Sequence, residues 1–309
     1  MRFSVVIAVY NKEAYIAKTL QSVLDQRFSD FEVVVVNDGS TDNSEEVIKS
    51  FTDPRIRYFP QTNQGAGAAR NAAIARSTAP YIALLDADDY WHPDYLSEID
   101  SLINAHPYQK VFATAVEINR SGYIVSPHYS VPNLKEGDIR ILDFFKASYI
   151  HSILTSSSTV IHRTVLEKSG NYNPDIKSGQ DTDLWIRIGL HYDLVFLNKA
   201  LAVYEDALQS LFKSTVNLND KASFEGYENY EKERPEVKKF LDLNRYSHAI
   251  LAKTLGDREA FKKFSGQLVL KNLNSKQRFL LKSPAFIVKK LSSLKFYLER
   301  KGIYLTAFK

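Results

Sequence analysis

The sequence predicts an α/β protein, a doubly wound and mostly parallel sheet followed by a helical C-terminal extension. Three observations predict it. Short apolar runs rich in β-branched residues alternate with amphipathic stretches through the first third of the chain. Acidic and glycine-containing clusters follow directly after those runs, where loops leave the carboxyl edge of a sheet. From about Leu208 onward the pattern turns helical and charged.

The elements follow in order. Phe3 to Val9 reads as a buried strand, and Ile16, Leu20, Val23 and Leu24 then recur at helical spacing. Phe31 to Val36 is a second buried strand, stopped by the turn and capping residues Asn37-Asp38-Gly39-Ser40-Thr41-Asp42. A helix carrying Val47 and Ile48 leads to a short strand at Ile56 to Phe59. The loop Asn63-Gln64-Gly65-Ala66-Gly67 precedes an Ala-rich helix at Ala68 to Arg76. Tyr81 to Leu85 is the fourth strand, ending in Asp86-Ala87-Asp88-Asp89, and Pro93 fits the first turn of a helix running to about His106. Farther on, Val111 to Asn119 and Tyr123 to Ser126 read as strands around a Ser121-Gly122 turn. Ile139 to Lys146 reads as helical, Thr155 to His162 as a polar strand, Asp181 to Gly189 as a helix and Leu194 to Tyr204 as a strand. The division falls between Asp206 and Asn219, giving a catalytic domain over 1–210 and a helical, basic extension over 211–309.

Composition narrows the function. The 309 residues are 44% hydrophobic and 25% charged, ordinary for a globular chain with a real core. A net charge of +4 does not argue for nucleic acid. The absence of Cys excludes disulfides, thiolate metal sites and a cysteine nucleophile. No run approaches the roughly 18 apolar residues of a membrane span, and the N-terminal run is too short for a signal-peptide core. The expected location is therefore the cytoplasm.

The chemistry sits at the strand ends. A carboxylate there can bond the polar edge of a base or a ribose hydroxyl. Two carboxylates at i and i+2, as in Asp86-Ala87-Asp88, can reach one side of a tight turn. One can hold Mg²⁺ or Mn²⁺, with substrate phosphates completing the shell, while the other takes the ribose. Asp89 reads as support for the turn. Gly65 and Gly67 read as a tight turn, since Gly-x-Gly alone is a weak phosphate signal and no dinucleotide fingerprint is complete. The seven His residues form no metal-ligand cluster, and His92 reads as a surface or packing residue.

Four segments in order carry a resemblance: Val5-Val6-Ile7-Ala8-Val9-Tyr10-Asn11, Val36-Asn37-Asp38-Gly39-Ser40-Thr41-Asp42, Asn63-Gln64-Gly65 with Ala69-Arg70-Asn71, and Leu84-Leu85-Asp86-Ala87-Asp88-Asp89. Together they resemble the family 2 glycosyltransferases, with Ala8 where the family often has Pro, and the resemblance resumes from about Ser156 to Arg187. It implies a GT-A fold, a nucleoside-diphosphate sugar donor and inversion at the anomeric carbon. By that resemblance Tyr10 stacks on the base, Asn11 lies in the donor site, Asp38 bonds the base edge (uracil for preference), Arg70 sits near the base or diphosphate, Asp86 contacts the ribose and Asp88 ligates Mn²⁺ or Mg²⁺. The family's Glu-Asp pair stands here as Gln180-Asp181, so Asp181 is the expected catalytic base. Without an acidic neighbour its pKa should lie below that of the usual pair. Ser156-Ser157-Ser158 falls where the family lines its acceptor cleft, and ordinary strand polarity explains it equally. Trp185 reads as core.

The expected acceptor is a hydroxyl of a saccharide or lipid-linked saccharide in cell-surface polysaccharide synthesis. Between 276 and 309 nine basic residues face Glu299 alone, with Phe279, Phe286, Leu291 and Leu294 among them. Three readings fit: contact with the inner face of an anionic membrane, packing on the catalytic domain, or a homodimer contact. Two further functions stay open, a non-catalytic binder of sugar nucleotides or glycans with the same fold, and a sugar nucleotidylyltransferase. The second lacks its usual Gly-rich N-terminal loop here.

Overall fold

The computed structural model describes residues 1–120, 122–205, 218–299 and 307–308. The expected division near residue 210 lies outside them. The strands are β1 (Phe3–Val9), β2 (Phe31–Asp38), β3 (Ile56–Gln61), β4 (Tyr81–Asp86), β5 (Tyr90–Trp91), β6 (Val111–Arg120), β7 (Tyr123–Val125), β8 (Ile139–Leu142), β9 (Thr159–His162) and β10 (Leu194–Glu205). They form one sheet in the order β3-β2-β1-β4-β9-β6-β10-β5, with β7 on β6 and β8 on β10. The pairs β1–β2, β1–β4, β2–β3 and β6–β10 are parallel, while β9 runs antiparallel between β4 and β6.

The period of two in each strand builds the two layers. Val6, Val34, Val36, Ile82 and Leu84 enter one core, with Ala69 and Ala73 from the helix Ala66–Arg76. Val5, Ile7, Val33, Val35, Ala83 and Leu85 enter the other, with Leu20 and Val23 from the helix Ile16–Leu24. Each such side chain is buried, and each Val, Ile and Leu gains about 1.5–3 kcal/mol before entropy is counted. This explains why β1, β2 and β4 read as continuous apolar runs.

Ile139 to Lys146 differs from the predicted helix. Ile139–Leu142 is an edge strand pairing antiparallel with β10, and only Phe144–Ala147 is helical, capped by Asp143 accepting from Lys146 N at 2.8 Å. Ile139 and Ile141 are exposed on that edge, so no buried face advertised the strand. Two short elements, β5 and the helix Thr164–Ser169, are also additional to the predicted set.

The C-terminal helices pack onto the sheet domain. Phe240, on the helix Pro235–Leu255, lies against Phe144 and Phe145 at 5.1 and 5.5 Å between ring centroids. Val237 and Leu241 join the same buried cluster as Leu184 and Trp185. Arg234 ties the helix start to Asp143 at 2.7 Å. Gly189 permits this packing, since a Cβ there would stand 2.7 Å from Phe144 Cδ1. Among the described residues no helix is long and apolar enough to cross a membrane.

Candidate active site

The carboxyl ends of β1, β2 and β4 lie level with one another. Ala8 pairs with Val36 on one side and with Asp86 on the other. Tyr10, just past β1, is 46% exposed, an aromatic ring presented at the sheet edge. Asn11 follows with φ +51°, a left-handed turn that Asn tolerates better than most residues. Its backbone N–H donates to Ser40 Oγ at 3.0 Å, and its Oδ1 accepts from Thr41 N at 2.8 Å. The Asn11 side chain therefore ties the β1 loop to the β2 loop.

Asp38 is buried at the end of β2. Its Oδ1 accepts from Gln61 Nε2 at 2.7 Å and Gln64 N at 2.9 Å, and its Oδ2 from Gly65 N at 2.9 Å. Three of roughly four acceptor positions are thus used to fix the loop entering the helix Ala66–Arg76. Gly65 has φ +89°, which that loop requires and only glycine adopts freely. On this helix Asn71 exchanges hydrogen bonds with the Tyr172 backbone at 2.8 and 3.0 Å, placing the Tyr172 ring 5.3 Å from the Arg70 guanidinium.

Arg70 is the centre of the site. Its Nη2 donates to Asp86 Oδ1 at 2.5 Å, and its Nη1 lies 3.7 Å from Asp181 Oδ1 without a hydrogen-bond partner among the described residues. One buried cation thereby joins the β4 acid to the acid at the start of the helix Gln180–Gly189. Burial works against the Arg70 charge, but Asp181 and Asp86 outweigh it and hold the guanidinium protonated. Asp181 accepts from Ser156 Oγ at 2.9 Å. Burial in the cleft raises its pKa above the ordinary carboxylate value, with Asp86 adding to the rise while Arg70 and Ser156 oppose it. Relative to an isolated carboxylate the direction is therefore upward, even with neutral Gln180 beside it.

Asp88 points elsewhere. Its Oδ2 accepts from Lys12 Nζ at 2.5 Å, in a pair whose side chains are 16% and 21% exposed. Burial raises the Asp88 pKa, Lys12 lowers it and Asp86 raises it, with a net upward direction. Asp89 is wholly buried; it accepts from Ser157 Oγ and from Glu205 N at 2.9 Å, so it braces the acidic turn against β9 and β10, in its expected supporting role. Burial and the charges of Asp86 and Asp88 push its pKa well up. Ser157 also accepts from Asp86 N at 3.2 Å. Ser156 and Ser157 therefore position Asp181 and the acidic turn, a role the polar strand pattern did not announce. Lys12 was likewise invisible in sequence. His92 is 53% exposed on the surface, and Trp185 is buried in the core.

Among the described residues no three His, Asp or Glu side chains converge into a cation cage. Asp88 offers one carboxylate, paired with Lys12, and a hard divalent ion there would draw its remaining ligands from a diphosphate and water. The donor set thus fits Mn²⁺ or Mg²⁺ held jointly with a ligand.

Comparison with known proteins agrees with this architecture. The profile described as Glycosyl transferase family 2 matches residues 4–170. An uncharacterized glycosyltransferase of Rickettsia felis is 31% identical over 214 residues, covering 65% of this chain and 32% of its own length. Glycosyltransferase GlyA of Streptococcus pneumoniae is 41% identical over 100 residues, 32% of this chain and 14% of that protein. The matches thus span about a third or less of the length of these curated relatives. The crystal structure of S. aureus TarS 1–349 in complex with UDP-GlcNAc superposes with a TM-score of 0.69 at 18% identity, covering 99% of this chain and 93% of that one. Sheet order, acidic strand ends and profile agree: the fold is of the GT-A type, and the chain belongs to glycosyl transferase family 2.

Proposed function

We propose that this protein is an inverting glycosyltransferase that moves a sugar from a UDP-sugar to a hydroxyl of a cell-surface saccharide. The observation that carries the reading is the Asp86–Arg70–Asp181 bridge. It sets a candidate donor carboxylate and a candidate base on opposite arms of one buried guanidinium. The TarS complex, which holds UDP-GlcNAc on the same fold, supports the donor class.

In this reading the exposed Tyr10 ring stacks on the base, and Asp38 shapes its pocket through the Gln64–Gly65 loop with one acceptor position left for the base edge. Asp86 meets the ribose, and Asp88 would hold Mn²⁺ or Mg²⁺, which would supply positive charge to the diphosphate leaving group. Asp181 takes the proton of the acceptor hydroxyl as its oxygen bonds the anomeric carbon. The bond from that carbon to the diphosphate breaks with its electron pair on the diphosphate, and the single in-line displacement inverts the centre. Ser156 keeps the base turned toward the cleft.

Calorimetric titration tests the donor site. Wild type is expected to bind UDP at least about tenfold more tightly with Mn²⁺ than without. Asp88→Ala should erase that metal dependence. UDP binding indifferent to both the ion and the substitution would defeat the reading.

The same proposal extends to the acceptor side. The helices Ser275–Lys282 and Ala285–Glu299 bury Leu281 and Val288 but expose Phe279, Phe286, Leu291 and Leu294 beside exposed Lys276, Lys282, Lys289 and Lys290. Packing thus accounts for one side of these helices, and the other suits an anionic membrane surface presenting a lipid-linked acceptor. In sedimentation with vesicles containing phosphatidylglycerol, wild type should pellet and a Phe286→Ser, Lys289→Glu, Lys290→Glu variant should stay in solution. Equal pelleting, or none for either, would remove the membrane from the reading.

A further inference from the structure

Lys12 stands where a divalent ion would stand. Its Nζ is 2.5 Å from Asp88 Oδ2, and both side chains are largely buried, so the ammonium neutralises the carboxylate that the reading above gives to the metal. The geometry that puts it there is built into the backbone. Asn11, with φ +51°, turns the chain at the end of β1, and Lys12 N donates to Ser44 Oγ at 2.8 Å. The side chain then reaches across to the acidic turn after β4. Asp86 does not share this ammonium, because its Oδ1 is held by Arg70. Asp88 alone among the acids Asp86, Asp88, Asp89 and Asp181 is paired with a lysine, whose flexible stem can move away, rather than with a fixed guanidinium or hydroxyl.

We propose that Lys12 is a resident cation of the Asp88 site that competes with the divalent ion and yields Asp88 only when a donor diphosphate arrives. The proposal rests on the donor-site reading and adds an order of events to it. Without donor, a metal ion must displace an ammonium already in contact with the carboxylate, and it recovers little, since among the described residues no group of three or more acids or histidines is placed to hold it. A diphosphate changes both sides of the balance. It brings phosphate oxygens to the ion, and it offers the displaced ammonium an anion within reach of the same stem. Mn²⁺ and UDP therefore bind with positive coupling, one part through phosphate oxygens on the ion and another through the position of Lys12.

The experiment measures Mn²⁺ binding to the full chain by the loss of the free-ion EPR signal, with and without UDP, in wild type, Lys12→Met, Lys12→Arg and Asp88→Ala. Lys12→Met, which keeps length without charge, should bind Mn²⁺ alone about tenfold more tightly than wild type and show a UDP–Mn²⁺ coupling weaker by about the same factor. Lys12→Arg keeps the competing charge and should stay near wild type for Mn²⁺ alone. Asp88→Ala should bind Mn²⁺ poorly in every condition, which places the ion at that carboxylate. Thermal unfolding of each variant without ligand shows whether the fold is intact. If Lys12→Met binds Mn²⁺ alone no better than wild type while wild type still shows metal-dependent UDP binding, the donor-site reading stands and the competition is refuted. If wild type shows no metal-dependent UDP binding at all, the donor-site reading falls and takes this inference with it.

Discussion

Asp181→Asn is expected to lower sugar transfer about 10²–10⁴-fold while leaving metal-dependent UDP binding unchanged. The substitution is close to isosteric, and its amide oxygen can still accept from Ser156 Oγ, so the cleft keeps its shape. What is lost is the capacity to take a proton. A base whose pKa lies nearer the working pH transfers protons more effectively than an ordinary carboxylate. Burial raises the Asp181 pKa here, and Arg70 opposes the rise. Steady-state rates with a hydroxyl acceptor, together with UDP titration, check this. Retained turnover would place the base elsewhere. Loss of UDP affinity in step with the rate would make Asp181 part of the donor pocket. The same pair of measurements separates an enzyme from a binding module, because a module would register Asp181→Asn in neither.

The parts of this site that could be read in sequence share one physical property: they are fixed by local pattern. β1 was bounded at Phe3 and Val9 because a strand buried on both faces is a continuous apolar run that stops where the loop begins. Asp38, Asp86 and Asp88 were located by their distance from such runs. What the sequence hid depends on contacts between distant segments. Lys12 is one lysine in a turn, and its meaning comes from the β1–β4 pairing and from the left-handed backbone at Asn11. Ser157 lies about 70 residues from the acidic turn and meets it only because β9, which follows it, runs antiparallel beside β4. Arg70 was placed near the donor, but its second partner, Asp181, is 111 residues away and no spacing could announce it. The misread segment, Ile139–Leu142, fails for the opposite reason. An exposed edge strand has no buried face, and the capped Phe144–Ala147 turn beside it lent the whole stretch a helical look.

Arg70→Met should lower stability and activity together. The methionine fills much of the same volume but leaves Asp86 and Asp181 without their cation; because those side chains are 25% and 34% exposed, the loss should fall below the roughly 3–5 kcal/mol of a fully buried pair. Stripped of Arg70, Asp181 loses the partner that opposes its raised pKa, so that pKa climbs further. The sign of the stability effect follows. A carboxyl whose folded pKa exceeds its unfolded value binds more protons in the native state between the two, so stability falls as pH rises through that window. The window opens at the ordinary value of 3.8 and closes at the raised folded pKa, so the deficit of the variant should shrink as pH falls through it. Arg70→Lys separates fold from function. One ammonium keeps the charge but cannot span both carboxylates as the guanidinium fork does, so the variant should fold. The acid limb of its kcat/KM profile should move to higher pH, because Asp181 is then the partner left weakly paired, and transfer at neutral pH should drop about tenfold or more. Urea unfolding across pH and a pH–rate profile measure both. An acid limb unmoved in Arg70→Lys would mean that Arg70 serves Asp86 and the donor alone, and that Asp181 is poised by burial and Ser156 without it.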